Sequence, residues 1–187
     1  MSPRVLIIYG TTYGQTARVV ARIGSTLRQR GFTVTTVCGD AVPPSFRIDD
    51  YDGVLVGASM IRQGYQKYIR AFVAASAAAL NAHPSAFFAV SGSAGSSHAN
   101  ERAEAQRIAN AFCAEMHWTP AIIESIAGAI MFTKYNFILR WVMKRISRKE
   151  GRSTDTSRDH EYTDWAQVTG FAERFADVVL AHRGATV

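Results

Sequence analysis

Short apolar runs alternate along the chain with longer stretches whose apolar residues recur at helical spacing. Val5–Tyr9 is a compact run rich in β-branched residues and predicts a buried strand. From Gly14 to Arg30 the positions Ala17, Val20, Ala21, Ile23, Gly24 and Leu27 follow a helical repeat, which Gly31 ends. Thr33–Val37 predicts a second strand. Gly53–Gly57 (GVLVG) predicts a third, entered through the polar turn Asp49–Asp52. The alanine-rich Gln66–Leu80 reads as a helix, Ser85–Val90 (SAFFAV) as a fourth strand, and His98–Met116 as another helix. Ile122–Ile130 predicts the fifth strand. Asp164–His182 predicts the closing helix, with Thr163 as its N-cap.

Strands that alternate with helices imply a parallel sheet covered on both faces. The expected class is α/β: a doubly wound, five-stranded parallel sheet in a single domain, residues 1–187. Ligands of such sheets sit at the carboxyl ends of the strands, so the loops 10–16, 58–65 and 91–98 carry the interest. Residues 131–162 form a long insert before the last helix. Connections in this architecture usually run to roughly 2–6 residues, so the insert is expected to have a task of its own.

Composition narrows the classes. Apolar residues make up 48% of the 187 positions, ordinary for a globular domain. Cys38 and Cys113 have neither metal-type nor redox-pair spacing, which suits a reducing cytosol and two small buried hydrophobes; no metal site is expected. Met1–Arg4 leads straight into the first strand with no signal-peptide pattern. No segment reaches the ~18 uninterrupted apolar residues of a membrane span. The net charge of +6 calls for an anionic partner, and on charge alone nucleic acid, a membrane surface and acidic small molecules all stand open.

The most specific local signal is Thr11-Thr12-Tyr13-Gly14-Gln15-Thr16, directly between the first strand and the first helix. A helix N-terminus has unpaired N–H groups and about half a positive charge. Hydroxyls of Thr11, Thr12 and Thr16 add donors, and Gly10 and Gly14 let the backbone curl around an anion. Such a loop suits a phosphate without Lys or Arg. The other reading is a tight turn capped by threonine with no ligand. The loop is neither a Walker loop nor a G-x-G-x-x-G fingerprint. No H-E-x-x-H, G-x-S-x-G or paired-carboxylate signature points to hydrolytic chemistry, and no general acid or base can be assigned.

The pattern Thr-x-x-Gly-x-Thr resembles the phosphate loop of the flavodoxin family, with Tyr13 where that family usually has threonine. The resemblance implies a flavodoxin-like sheet of order 2-1-3-4-5 and FMN as cofactor. The phosphate would lie on residues 11–16. The isoalloxazine ring would lie between Ala58, Ser59, Met60 and Ile61 on one side and Ser91, Gly92, Ser93, Ala94 and Gly95 on the other. Tyr13 and Tyr65 are the nearest aromatic candidates for stacking on it, and His98 is a candidate proton donor.

A closer resemblance runs along nearly the whole chain. YDGVLVGAS (51–59), HPSAFFAV (83–90), IAGAI (126–130), the aromatic and basic insert 131–149, TDT (154–156) and YTDWAQV (162–168) together are similar to the menaquinone-dependent protoporphyrinogen oxidases. That family implies FMN-dependent oxidation of protoporphyrinogen IX to protoporphyrin IX, in haem biosynthesis, with a membrane quinone as acceptor. A flavodoxin-like electron carrier, an FMN-dependent quinone reductase fed by NAD(P)H, and a flavin-free membrane adaptor are the competing classes.

Within the insert, residues 131–152 hold seven bases against one acid, Glu150, an excess equal to that of the whole chain. At ~100° per residue Tyr135, Ile138, Leu139, Val142 and Ile146 share a stripe, while Arg140, Lys144, Arg145 and Arg148 lie opposite with Phe137 and Trp141 among them. Bases interleaved with large aromatics suit an interfacial helix. Lys134, Phe137, Arg140, Trp141, Lys144, Arg145 and Arg148 are therefore the candidate contacts to an anionic membrane surface or to the substrate. Alternatively the stripe packs on the domain and the bases face water, or the bases hold tetrapyrrole propionates. No nucleic-acid recognition motif accompanies the charge. The expected location is cytoplasmic, peripheral on the inner face of the cell membrane.

Overall fold

The computed structural model describes residues 2–43, 46–60 and 64–185. Five parallel strands form the central sheet: β1 (Arg4–Gly10), β2 (Thr33–Cys38), β3 (Gly53–Ser59), β4 (Ser85–Ser91) and β5 (Ile122–Ala127), in the order β2-β1-β3-β4-β5. Helices α1 (Gln15–Gln29), α2 (Lys67–Ala82) and α3 (Ala99–Glu115) cross over between strands, and α5 (Trp165–Ala185) closes the chain. The order 2-1-3-4-5 is the flavodoxin-like one expected, with its switch point beside β1.

Strand side chains alternate between faces, and the sequence loads both with apolar groups. Val5 and Ile7 of β1, with Leu55 and Phe88, face Val19, Val20 and Ile23 of α1 and Phe171, Phe175 and Val179 of α5. Leu6, Ile8, Val54, Val56 and Phe87 face Ile69 and Val73 of α2 and Phe112 and Cys113 of α3. Cys113 is therefore a buried small hydrophobe, and burial pushes its thiol up to about 12.

Three expectations need correction. First, the fifth strand does not run to Ile130. It stops at Ala127, and Ala129–Ile130 forms β6, which pairs antiparallel with β7 (His160–Glu161). The break falls at Gly128, whose N–H donates to the Ser91 carbonyl. Second, the cap of α5 is Asp164. Its Oδ1 accepts from the N–H groups of Ala166 (2.9 Å) and Gln167 (3.1 Å). Thr163 instead donates inward to the Ala127 carbonyl at 2.7 Å.

The third concerns the insert. A single 3-10 turn, Phe132–Lys134, precedes α4 (Phe137–Lys149), whose N-cap Asn136 accepts from Leu139 N–H at 2.9 Å. Tyr135 precedes the helix, out of phase with the stripe. It is buried with Ile130, Met131 and Phe132, and Leu139, Met143 and Tyr13 pack against that cluster. The inward face of α4 is Leu139, Met143 and the fully buried Ser147, while Ile138, Val142 and Ile146 are exposed with Phe137 and Trp141. Most of the apolar stripe therefore faces outward.

Candidate functional site

The loop after β1 and the first turn of α1 form the candidate cradle. Gly14 is the N-cap of α1 and adopts φ +97°, the left-handed region in which a side chain is strained. Its N–H donates to Thr11 Oγ1 at 3.0 Å, which curls the loop. The first turn of α1 has no acidic residue, so its free N–H groups keep their full attraction for an anion. Thr16 Oγ1 is buried and has no hydrogen-bond partner. An unpaired buried hydroxyl costs about 1–3 kcal/mol, so a donor left open here fits a ligand oxygen. These features suit an anion such as a terminal phosphate.

Not every side chain of the loop is free for a ligand. The Gln15 side chain is buried and donates to Glu161 (2.6 Å) and Thr163 (2.8 Å), so only its backbone N–H remains for the cradle. Tyr13 packs edge-on against Tyr135, with ring centroids 4.9 Å apart. Thr12 Oγ1 accepts from Gln66 Nε2 at 3.1 Å, and the same Nε2 donates to Ser59 Oγ. Gln66 thus ties the phosphate loop to the end of β3. Sequence reasoning missed it. The available signal was Gly10, where a Cβ would stand 2.6 Å from Gln66 Oε1.

The two ring-side loops lie at the carboxyl ends of β3 and β4, as the topology requires. Ala58 is wholly buried within β3 and presents no side chain to a ligand. Ser59 ends the strand, and the Met60 N–H is engaged by the Val90 carbonyl at 2.9 Å. Ile61, like Arg62 and Gln63, lies outside the described residues. Ser91 is buried, and its Oγ accepts from Ala94 N–H at 3.1 Å, which turns the chain into the 3-10 segment Ser93–Gly95. Tyr65 is not a stacking residue. It is buried on the α2/α3 side of the sheet with Phe87 and Phe112, and burial raises its hydroxyl pKa well above the ordinary value. His98 is an exposed residue at the start of α3.

The insert walls both loops. Lys134 Nζ donates to the Tyr13 carbonyl at 2.8 Å. The nearly buried Arg152 donates to the Gly92 carbonyl at 3.1 Å, pairs with Glu150 and stacks over Tyr162, 4.7 Å from its centroid. Arg140 is turned inward, donating to the carbonyls of Phe132 (3.0 Å) and Tyr135 (3.1 Å), which takes it off the outer face of α4. That outer face carries Phe137 at 83% exposure and Trp141 at 56%, and the Arg145 guanidinium lies 5.0 Å from the Trp141 centroid. Arg148 is exposed and Lys144 half-buried. Asp155 and Asp159 serve the insert's own turns, accepting from Ser157 and Thr133 respectively.

An open helix N-terminus at the switch point, with two small polar loops at the carboxyl ends of β3 and β4, fits a flavin-binding domain of flavodoxin type. The family model described as a flavodoxin domain matches residues 6–157. The chain is 32% identical over 180 residues to a protoporphyrinogen IX dehydrogenase [quinone] of Leishmania major, covering 96% of this chain and 78% of that protein. It is 30% identical over 173 residues to the protein of the same name from Escherichia coli K12, covering 92% and 94%. Among solved structures, a flavodoxin from the domain Archaea superposes with a TM-score of 0.54 at 15% identity over 94% of this chain and 98% of that one, a likeness of fold. The chain belongs to the flavodoxin-domain family and, within it, to the quinone-linked protoporphyrinogen IX dehydrogenases. Among the described residues, no helix is long and apolar enough to cross a membrane.

Proposed function

We propose that this protein is an FMN-dependent dehydrogenase that oxidises protoporphyrinogen IX to protoporphyrin IX and passes the electrons to a membrane quinone. The observation that carries the reading is the insert, which walls the phosphate cradle at Tyr13 and the ring loop at Gly92. A domain that only shuttled electrons would have no use for such a wall. Similarity to the two dehydrogenases extends over 92–96% of the chain.

When bound, FMN would supply two-electron redox chemistry between the reduced tetrapyrrole and the quinone, and three such rounds, each reducing one quinone, balance the six-electron oxidation. The chain supplies position. The first-turn amides of α1, with Thr12 and Thr16, hold the terminal phosphate. Ser59 and Met60, with Ser91–Gly95, bracket the ring edge. Arg152 fixes the ring loop by holding the Gly92 carbonyl. The outward bases Lys144, Arg145 and Arg148 face substrate propionates or anionic headgroups, and Phe137 and Trp141 sit at headgroup depth. In this reading the protein works in the cytoplasm, at the inner face of the cell membrane.

The test is anaerobic. Protoporphyrinogen IX is expected to bleach the yellow holoprotein, and a quinone to restore the colour. Failure of the bleaching step overturns the assignment, and rapid bleaching by NADPH alone makes the protein a quinone reductase instead.

A further inference from the structure

We infer that Lys134, although carried by the insert, is a ligand of the flavin's phosphate, so that the cofactor fastens the insert to the core. The inference rests on the functional reading above. A phosphate loop of this type can hold its anion with N–H and hydroxyl donors alone. Here a cation has been brought to it from 121 positions away.

The ammonium lies against the loop at its entry to α1. Lys134 Nζ donates to the Tyr13 carbonyl at 2.8 Å and stands 3.4 Å from the point where a Cβ on Gly14 would lie, at the N-cap of α1. Its place is built from both sides. On one, Thr133 is held by Asp159, which accepts from its N–H (2.9 Å) and its Oγ1 (2.8 Å). On the other, the buried Tyr135 packs edge-on against Tyr13. Lys134 forms no ion pair among the described residues, so its charge is not already answered by a carboxylate.

A second observation points to a ligand independently. Thr16 Oγ1, 1% exposed in relative terms for its residue, has no partner in the first turn of the same helix. The charge balance agrees. A phosphate monoester carries nearly two negative charges at neutral pH. The helix terminus answers about half of one. One ammonium proton goes to the Tyr13 carbonyl, and two remain for phosphate oxygens. Binding FMN then closes a bridge from α1 through the phosphate to the insert.

The test separates phosphate from ring. Flavin-free full-length protein is titrated with FMN and with riboflavin, which lacks the phosphate, and binding is followed by flavin fluorescence. Loss of one charge-assisted hydrogen bond in Lys134→Met is expected to weaken FMN about tenfold and riboflavin less than about twofold. Lys134→Arg is expected to retain most of the FMN affinity. Unchanged FMN affinity in Lys134→Met overturns the inference. So does an equal loss for both flavins, which would mean that Lys134 merely positions Tyr13. If the unaltered chain binds no FMN, the functional reading falls and takes this inference with it.

Discussion

Gly57 sits in β3 directly across from Phe88, and a Cβ built there would overlap the Phe88 ring. That ring is fully buried against Phe171, with centroids 5.7 Å apart, and has no free space to move into. Gly57→Ala is therefore expected to destabilise by about 2–3 kcal/mol through overpacking, measured as a lower urea midpoint at unchanged slope. An unchanged midpoint would mean that the ring and strand yield freely. At this scale the chain is only partly readable in advance. Alternation in β1 and β4 announces which residues are buried, since each apolar position has a fixed face. The partners of polar side chains are not announced, because they depend on where separate loops converge. Gln66 meets Thr12 across 54 positions, and Gln15 meets Glu161 across 146. The one clue to Gln66 was negative, a glycine at position 10 where a side chain would collide.

Elements were readable where a single period ran uninterrupted, as in β1 to β4, α1 and α3. They were misread where two signals competed. In Ile122–Ile130 the flanking isoleucines favour one strand while Gly128 marks a break, and the break is where the central sheet gives way to the β6–β7 pair. The partner of β6 lies thirty residues downstream, so the break is a tertiary effect. At the start of α5 the sequence put Thr163 forward as the cap. Asp164 took that role because Thr163 is drawn inward by the Ala127 carbonyl and by Gln15. The two residues should therefore behave differently. Asp164→Ala removes a cap and costs about 1 kcal/mol. Thr163→Ala leaves the buried Ala127 carbonyl and the Gln15 amide short of a partner and costs about 1–3 kcal/mol. Paired denaturant curves decide. A larger loss at Asp164 than at Thr163 would contradict this division of labour.

On the scale of the whole molecule, charge and apolar exposure are concentrated in one place. Residues 131–152 of the insert carry an excess of bases equal to that of the full chain, so the remaining residues together are nearly neutral. Helix α4 has no acid along Phe137–Lys149, and Phe137, Ile138, Trp141, Val142 and Ile146 are exposed beside Arg145 and Arg148. At 13 residues it would reach only ~20 Å, long enough to lie on a bilayer and too short to cross one. The same insert touches the loop after β1 at Tyr13 and the loop after β4 at Gly92, so in the proposed reading a membrane that seated α4 would lie on the side of the molecule that holds both loops. Deleting the insert would remove Lys134 together with the exposed face of α4 and confuse two effects. Outer-face substitutions separate them, because none of these side chains reaches the cradle. The unaltered protein is expected to sediment with vesicles containing anionic lipid and to release as salt is raised. Reversing Arg145 and Arg148 to Glu should weaken that binding by more than about tenfold, since each base near an anionic surface contributes ~1 kcal/mol. Phe137→Ser with Trp141→Ser should weaken it at every salt concentration, because the aromatic contribution is not screened. If both double variants sediment as the parent does, α4 is not the lipid-facing element.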